Sequence, residues 1–178
     1  VYDDERAKIT SCLNTGTVDA QKYTKKKEKT GKNITPITGG LVGWVRKKSS
    51  TLDITDCLNT GVVKVSDKAT GGYGSVLGYS DGVVNVGHTY ATTDSSSLTA
   101  AKISGWTLAL DAEELKGAEW YRWTTLNFEK YWLPMKDSTP VLKSFGDKGV
   151  SVSGITPMVD TSWKKKKKDT YTLMDEKD

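Results

Sequence analysis

The chain has 178 residues, enough for one domain of ordinary size or a domain plus part of a neighbour, with 36% apolar and 27% charged residues. The net charge of +4 is concentrated in two lysine runs, six Lys within residues 21–33 and five in Lys164–Lys168, and the rest of the chain carries 15 basic against 21 acidic residues. With Arg only at positions 6, 46 and 122, this is not the basic face a nucleic-acid binder presents, and no apolar run approaches the ~20 residues of a membrane span. The lysine runs read as solvated loops. The composition of 23 Thr, 15 Ser and 17 Gly against two Phe and three Met suits many short strands and turns better than packed helices. Six Trp supply enough apolar mass for a core, so wholesale disorder is not expected.

The first elements in the chain are repeated. Ile9-Thr-Ser-Cys-Leu-Asn-Thr-Gly16 recurs as Ile54-Thr-Asp-Cys-Leu-Asn-Thr-Gly61, identical at seven of eight positions, and a degraded copy follows as Val86-Gly-His-Thr-Tyr-Ala-Thr-Thr93. A second motif, Gly39-Gly-Leu-Val-Gly-Trp44, is echoed by Gly74-Ser-Val-Leu-Gly-Tyr79. The step from Ile9 to Ile54 is longer than the step from Ile54 to Val86 or from Gly39 to Gly74. One copy therefore holds an insertion, which Tyr23–Asn33 suits by its Lys-, Glu- and Gly-bearing composition. Two constant half-motifs with one variable loop are what a solenoid produces. Ile54 and Cys57 both point inward only if the chain turns a corner between them. Gly39-Gly40 and Gly71-Gly72 permit positive φ and close backbone approach at turns. Asn14 and Asn59 allow two explanations, a side-chain ladder along the stack or local turn geometry.

Residues 1–97 thus read as about two and a half rungs, ending at the Ser95–Ser97 run. Residues 98–145 change character. Asp111–Lys116 predicts a short helix with an Asp cap and early acids, stopped by Gly117. Trp106, Trp120, Trp123 and Trp132 fall close together here, a density that suits the covering of an open solenoid end. Residues 146–157 read as a Gly/Ser/Val linker, and 158–178 as the start of a following module or a frayed tail.

The repeats resemble the GLUG repeats of bacterial surface proteins: Gly39–Trp44 with Ile54–Gly61 looks like one full unit. Asn127-Phe-Glu-Lys-Tyr-Trp132 with Thr139-Pro-Val-Leu-Lys-Ser-Phe145 looks like the segment that closes such a solenoid, and Asp160-Thr-Ser-Trp163 with Tyr171-Thr-Leu173 like the opening of a next module. The resemblance implies a parallel β-solenoid in a secreted or wall-attached bacterial protein, with stalk, adhesion or accessory roles and no catalytic residues of its own. Residues 86–93 lack the Cys and the Asn-Thr-Gly, as an atypical terminal rung would. Lys164–Lys168 is unusual for the opening segment. Both ends of the chain look like cuts within a longer protein.

Candidate chemistry is thin. His88 aligns with Ser11 and Asp56, a solvated edge position rather than a ligand. Cys12 and Cys57 lack zinc spacing, and their equivalence suggests buried free thiols on adjacent rungs in preference to a disulfide. Asp53/Asp56 and Glu113/Glu114 are paired acids, but nothing in the sequence places either pair across a cleft. Trp120, Trp123, Tyr131 and Trp132 are the candidate ligand-binding residues, as a sugar-stacking platform, with sealing of the solenoid end the alternative that the sequence favours. The expectation is therefore an all-β chain, a right-handed parallel β-solenoid of few rungs with a short-helix, Trp-rich cap. It is expected to be no enzyme, to need no cofactor or metal and to serve as a structural or adhesive module. Its expected partners are a host or matrix protein or glycan and neighbouring modules, not nucleic acid or membrane. The alternative is an accessory, carbohydrate-binding domain of a larger extracellular hydrolase or protease.

Overall fold

The computed structural model describes residues 5–21, 25–26, 33–34, 36–65, 72–92, 103–104, 107–110, 115–145 and 160–165. The chain forms two compact units, Val1–Ala112 and Glu113–Asp178.

The first unit is built from strands. In the first copy these are β1 (Arg6–Thr10), β2 (Leu13–Asn14), β3 (Val18–Asp19), β4 (Lys25–Lys26), β5 (Asn33–Ile34), β6 (Thr38–Gly39) and β7 (Val42–Val45). The second copy supplies β8 (Thr51–Thr55), β9 (Leu58–Asn59), β10 (Val63–Lys64), β11 (Tyr73–Gly74) and β12 (Leu77–Ser80). Then follow β13 (Val83–Gly87), β14 (Thr89–Thr92), β15 (Ile103–Ser104) and β16 (Thr107–Leu110). Every strand of the first copy except β4 and β5 lies parallel to the equivalent strand of the second, and two of these rows continue further, giving the orders β1-β8-β13-β15 and β2-β9-β14-β16 and the pairs β3-β10, β6-β11 and β7-β12.

The register is the one the repeat dictates. Ile9 pairs with Ile54 and Ile54 with Val86; Leu13 pairs with Leu58 and Leu58 with Tyr90; Gly39 pairs with Gly74 and Trp44 with Tyr79. Each pairing joins residues that hold the same place in successive copies of a motif. The inserted segment leaves the parallel stack: Lys25 and Lys26 pair antiparallel with Ile34 and Asn33. The stack also runs past the Ser95–Ser97 boundary the sequence suggests. Val84 pairs with Ile103 and Thr89 with Thr107, a much shorter step that no repeated motif announces.

Alternation decides which side faces in. In Thr-Leu-Asp-Ile-Thr of β8, Leu52 and Ile54 are fully buried while Thr51, Asp53 and Thr55 are half-buried, the period-2 pattern of a strand with one covered face. The core gathers Val45, Leu52, Ile54, Cys57, Val76, Leu77, Val84, Val86 and Ala91. Of the residues expected to be buried, Ile54, Cys57, Val76 and Leu77 are, whereas Leu41 and Val42 are half-buried and pack against this cluster. They belong to the first copy, which has a neighbour on one side only among the described residues.

The second unit holds α1 (Glu119–Trp123), an antiparallel pair of β17 (Trp132–Leu133) and β18 (Val141–Leu142), and two short 3-10 turns, Lys143–Phe145 and Thr161–Lys165. The helix expected over Asp111–Lys116 falls mostly outside the described residues. Leu115 and Lys116 are outside any element, and Asp111–Glu114 lie outside the described residues. Gly117, expected to stop a helix, instead precedes one, at φ 57°, with α1 beginning shortly after it. Of the 158–178 segment, expected to open a following module or to fray, Asp160 is hydrogen-bonded to the second unit: its carboxylate accepts the Ala118 N–H at 2.9 Å, and its N–H donates to the Pro134 carbonyl at 2.8 Å.

Candidate functional site

The corner between the two main sheets is made the same way three times. Ser11, Asp56 and His88 all have positive φ, at 52°, 55° and 48°, and among the described residues they are the three non-glycine positions that do. These are the residues the alignment placed together before each Cys or Thr, and His88 is exposed as expected. The pair Gly39-Gly40 plays another part. Gly40 has no positive φ, but a Cβ there would run into the Ser75 carbonyl and the Asn59 side chain, so the close approach of successive copies is what excludes a side chain.

Immediately after the corner a row of side chains runs up the stack. Cys12 N–H points at Cys57 Sγ (3.4 Å) and Cys57 N–H at Thr89 Oγ1 (3.4 Å). In each copy the side chain donates back to the carbonyl two residues earlier: Cys12 to Thr10, Cys57 to Thr55 and Thr89 to Gly87. Thr89 thus replaces Cys without changing the wiring. Both thiols are free, and burial pushes the Cys57 thiol up to about 12. A thiol held protonated and covered is a core filler, not a nucleophile.

Asn14 and Asn59 satisfy both explanations at once. Each accepts the N–H of the residue two further on (3.0 Å in both copies) and donates to that residue's carbonyl, which closes the turn. Asn14 Nδ2 also donates to Asn59 Oδ1 at 2.9 Å, a rung of the ladder, and Asn59 Nδ2 reaches the Ser75 carbonyl at 2.7 Å.

On the outward face Asp53 sits between basic and amide neighbours. Its Oδ2 accepts from Arg6 Nε at 2.8 Å and its Oδ1 from Asn85 Nδ2 at 2.7 Å. These two bonds, the Arg6 one foremost, hold the Asp53 carboxyl below its ordinary range. Asp56, buried at the corner, accepts the Ser11 hydroxyl at 2.9 Å. The two acids therefore serve different faces of the fold. Glu113 and Glu114 lie outside the described residues.

The four aromatic candidates are divided. Trp120 and Trp132 are fully buried, with the Trp120 indole N–H donating to the Leu115 carbonyl. Trp123 is 41% exposed, its N–H on Glu119 Oε2 at 3.0 Å and the Arg122 guanidinium 5.4 Å from its ring. Tyr131 is half-buried under the Lys130 ammonium, 4.7 Å from the ring centroid. A platform of all four rings is thus not presented to solvent.

Nothing matches. No protein-family model, curated protein or solved structure is similar to this chain. What the chain offers a ligand has therefore to be taken from its own surface. Sequence reasoning passed over one feature of it. Trp44, 40% exposed, lies against Tyr79 of the next copy in an edge-on pair with centroids 6.4 Å apart. Its N–H is fixed on Asp81 Oδ2 at 3.0 Å, and the Arg46 guanidinium stands 5.3 Å from the ring. The signal was present in the repeat, since Trp44 and Tyr79 end equivalent motifs, but outward orientation follows only from knowing which face of β7 is covered.

Proposed function

We propose that this chain contains a right-handed parallel β-solenoid module of few rungs. Its role is non-catalytic: a structural and adhesive part of a secreted or surface-attached bacterial protein of the GLUG-repeat kind. The observation that carries the reading is the strand-on-strand register of successive copies, Ile9 on Ile54 on Val86 and Trp44 on Tyr79, kept although the spacers between them differ in length. A frame of this kind presents rows of side chains at a constant spacing of about 4.8 Å, a surface suited to contact rather than to a concave reaction site. The exposed rings Trp44 and Trp123 favour a glycan as the ligand, because flat aromatic faces cover pyranose rings while leaving the hydroxyls wet.

The test is retention of the purified chain on immobilised glycans and matrix proteins, with reducing ends assayed on the same samples. Retention on glycans without release of reducing ends is expected, and Trp44→Ala and Trp123→Ala should lower it with melting unchanged. New reducing ends, or no retention on any surface, would refute the reading.

A further inference from the structure

Three exposed cations follow one exposed ring. Five residues, 46–50, join β7 to β8, where two, Asp81 and Gly82, join β12 to β13. The longer turn reads Arg-Lys-Lys-Ser-Ser, with Arg46, Lys47 and Lys48 all exposed and no acid among the five. It is seated on the second copy. Ser50 N–H donates to the Lys47 carbonyl at 3.1 Å, and Val83 N–H donates to the Ser50 carbonyl at 3.0 Å. A Cβ at Gly82 would run into both of those carbonyls, so the short corner packs directly against the long one.

Trp44 is held from the same copy. Its N–H lies on Asp81 Oδ2 at 3.0 Å, and the Asp81 N–H in turn donates to the Val45 carbonyl at 2.8 Å, which fixes the acid that fixes the ring. With Tyr79 edge-on and the Arg46 guanidinium 5.3 Å from the ring, the groups that set its position are residues 46 and 79–81, independent of the residues before β1. One acid, Asp81, thus stands against three cations. Trp123 sits in a different field: Glu119 on its N–H and Arg122 beside its ring are of opposite sign.

A sugar laid against the indole brings its substituents within reach of that guanidinium. A carboxylate or sulfate there meets the forked N–H donors of Arg46, with two ammonium groups next in the turn. A neutral sugar gains the ring contact alone. A nucleic-acid strand stacks successive bases on successive faces, and Tyr79, edge-on to Trp44, offers no second parallel face. We propose that Trp44 with residues 46–48 is a subsite for an anionic sugar, carboxylated or sulfated. This rests on the glycan reading above and adds to it the charge of the ligand and its place on the chain.

The experiment titrates the full chain into fluorescent hexasaccharides of galacturonate, of heparin and of neutral maltose units, and into a fluorescent oligothymidylate, with binding read by anisotropy. At low ionic strength at least one anionic hexasaccharide should bind about tenfold or more tightly than the neutral one, the product of three exposed charge contacts, and high salt should erase the difference. Whether galacturonate or heparin is bound tells carboxylate from sulfate. Arg46→Ala should weaken the anionic sugar roughly two- to fivefold and leave the neutral one unchanged, whereas Trp44→Ala should weaken both with melting unchanged. Equal binding of neutral and anionic sugars, or an anionic preference that survives both Arg46→Ala and Lys48→Ala, would overturn this inference and leave the glycan reading standing. Oligothymidylate bound as tightly as the sugars, with the same loss in Trp44→Ala, would overturn it in favour of nucleic acid. If none of the three sugars binds, this inference and the glycan reading fall together.

Discussion

Replacing Asn59 isolates the contribution of the ladder to stability. The side chain is fully buried and makes four hydrogen bonds: it donates to the Gly61 and Ser75 carbonyls at 3.0 and 2.7 Å and accepts from Gly61 N–H at 3.0 Å and Asn14 Nδ2 at 2.9 Å. Gly61 and Ser75 are themselves buried, so in Asn59→Ala their carbonyls lose a donor where water has little access, whereas the Gly61 N–H keeps the Asn14 carbonyl at 3.2 Å and the half-buried Asn14 amide can turn to solvent. Each buried polar group left unmade costs about 1–3 kcal/mol, and with the small cavity the total comes to about 3–5 kcal/mol. Asn14→Ala removes the equivalent turn in the exposed copy, where water replaces the lost bonds, and should cost about 1 kcal/mol. Asn59→Asp keeps the shape and the acceptor but turns a carboxylate toward two carbonyls, so it should destabilise about as much as the alanine change. Urea unfolding of the three variants, read as midpoint shifts at constant slope, measures the differences. Equal costs at positions 14 and 59, or a harmless Asn59→Asp, would refute the assignment of the buried donor bonds.

The remaining expectations concern other parts of the chain. Trp120→Ala and Trp132→Ala should each cost about 3–5 kcal/mol in a urea titration, since both rings are fully buried, while Trp123→Ala should shift stability by under about 0.5 kcal/mol. Under native conditions at mildly alkaline pH the half-buried Cys12 should take up alkylating reagent well before Cys57, whose thiol lies at about 12; the unfolded, unreduced chain should show two reactive thiols, and mass spectrometry distinguishes the sites. The Asp53 carboxyl is held below its unfolded value by Arg6 and Asn85, so its contribution is present above the unfolded carboxylate range and is lost as pH falls through the lower folded value. Thermal melts should therefore lose less stability on acidification in Asp53→Asn than in the unmodified chain.

How much was legible in the sequence depended on whether residue identity or chain geometry carried the information. Strand pairing was legible because Ile9–Gly16 and Ile54–Gly61 are almost the same motif, and identical side chains stack on one another in a parallel register. The free thiols and the corner between Ile54 and Cys57 followed from the same alignment. The left-handed corner itself was hidden, because Asp56 and His88 are types that tolerate positive φ but Ser11 is not, so the aligned position carries no shared mark, while Gly39 and Gly40 were needed for close approach. The last and shortest step of the stack, from Val84 to Ile103 and from Thr89 to Thr107, carries no motif to align. In the second unit a helical turn forms at Glu119–Trp123, which no cap or stop signal in the sequence marked, and Thr124 closes it through its N–H and hydroxyl on the Trp120 carbonyl. Among the candidate aromatics, no local pattern separates the buried Trp120 from the exposed Trp123 on the same helix; only the packed helix does.

The unequal steps of the stack bear on what its corners can carry. Copies that shorten from the first to the last keep one register, so position along the axis is measured by strand contact and not by chain length. Closing a longer excursion costs only about 0.6 kcal/mol per doubling of its length. The antiparallel pair of Lys25–Lys26 with Asn33–Ile34 is one such excursion already in place. Its site is a natural port for foreign sequence: a recognition loop grafted there would be carried at a defined height on a rigid frame, without asking the frame to change.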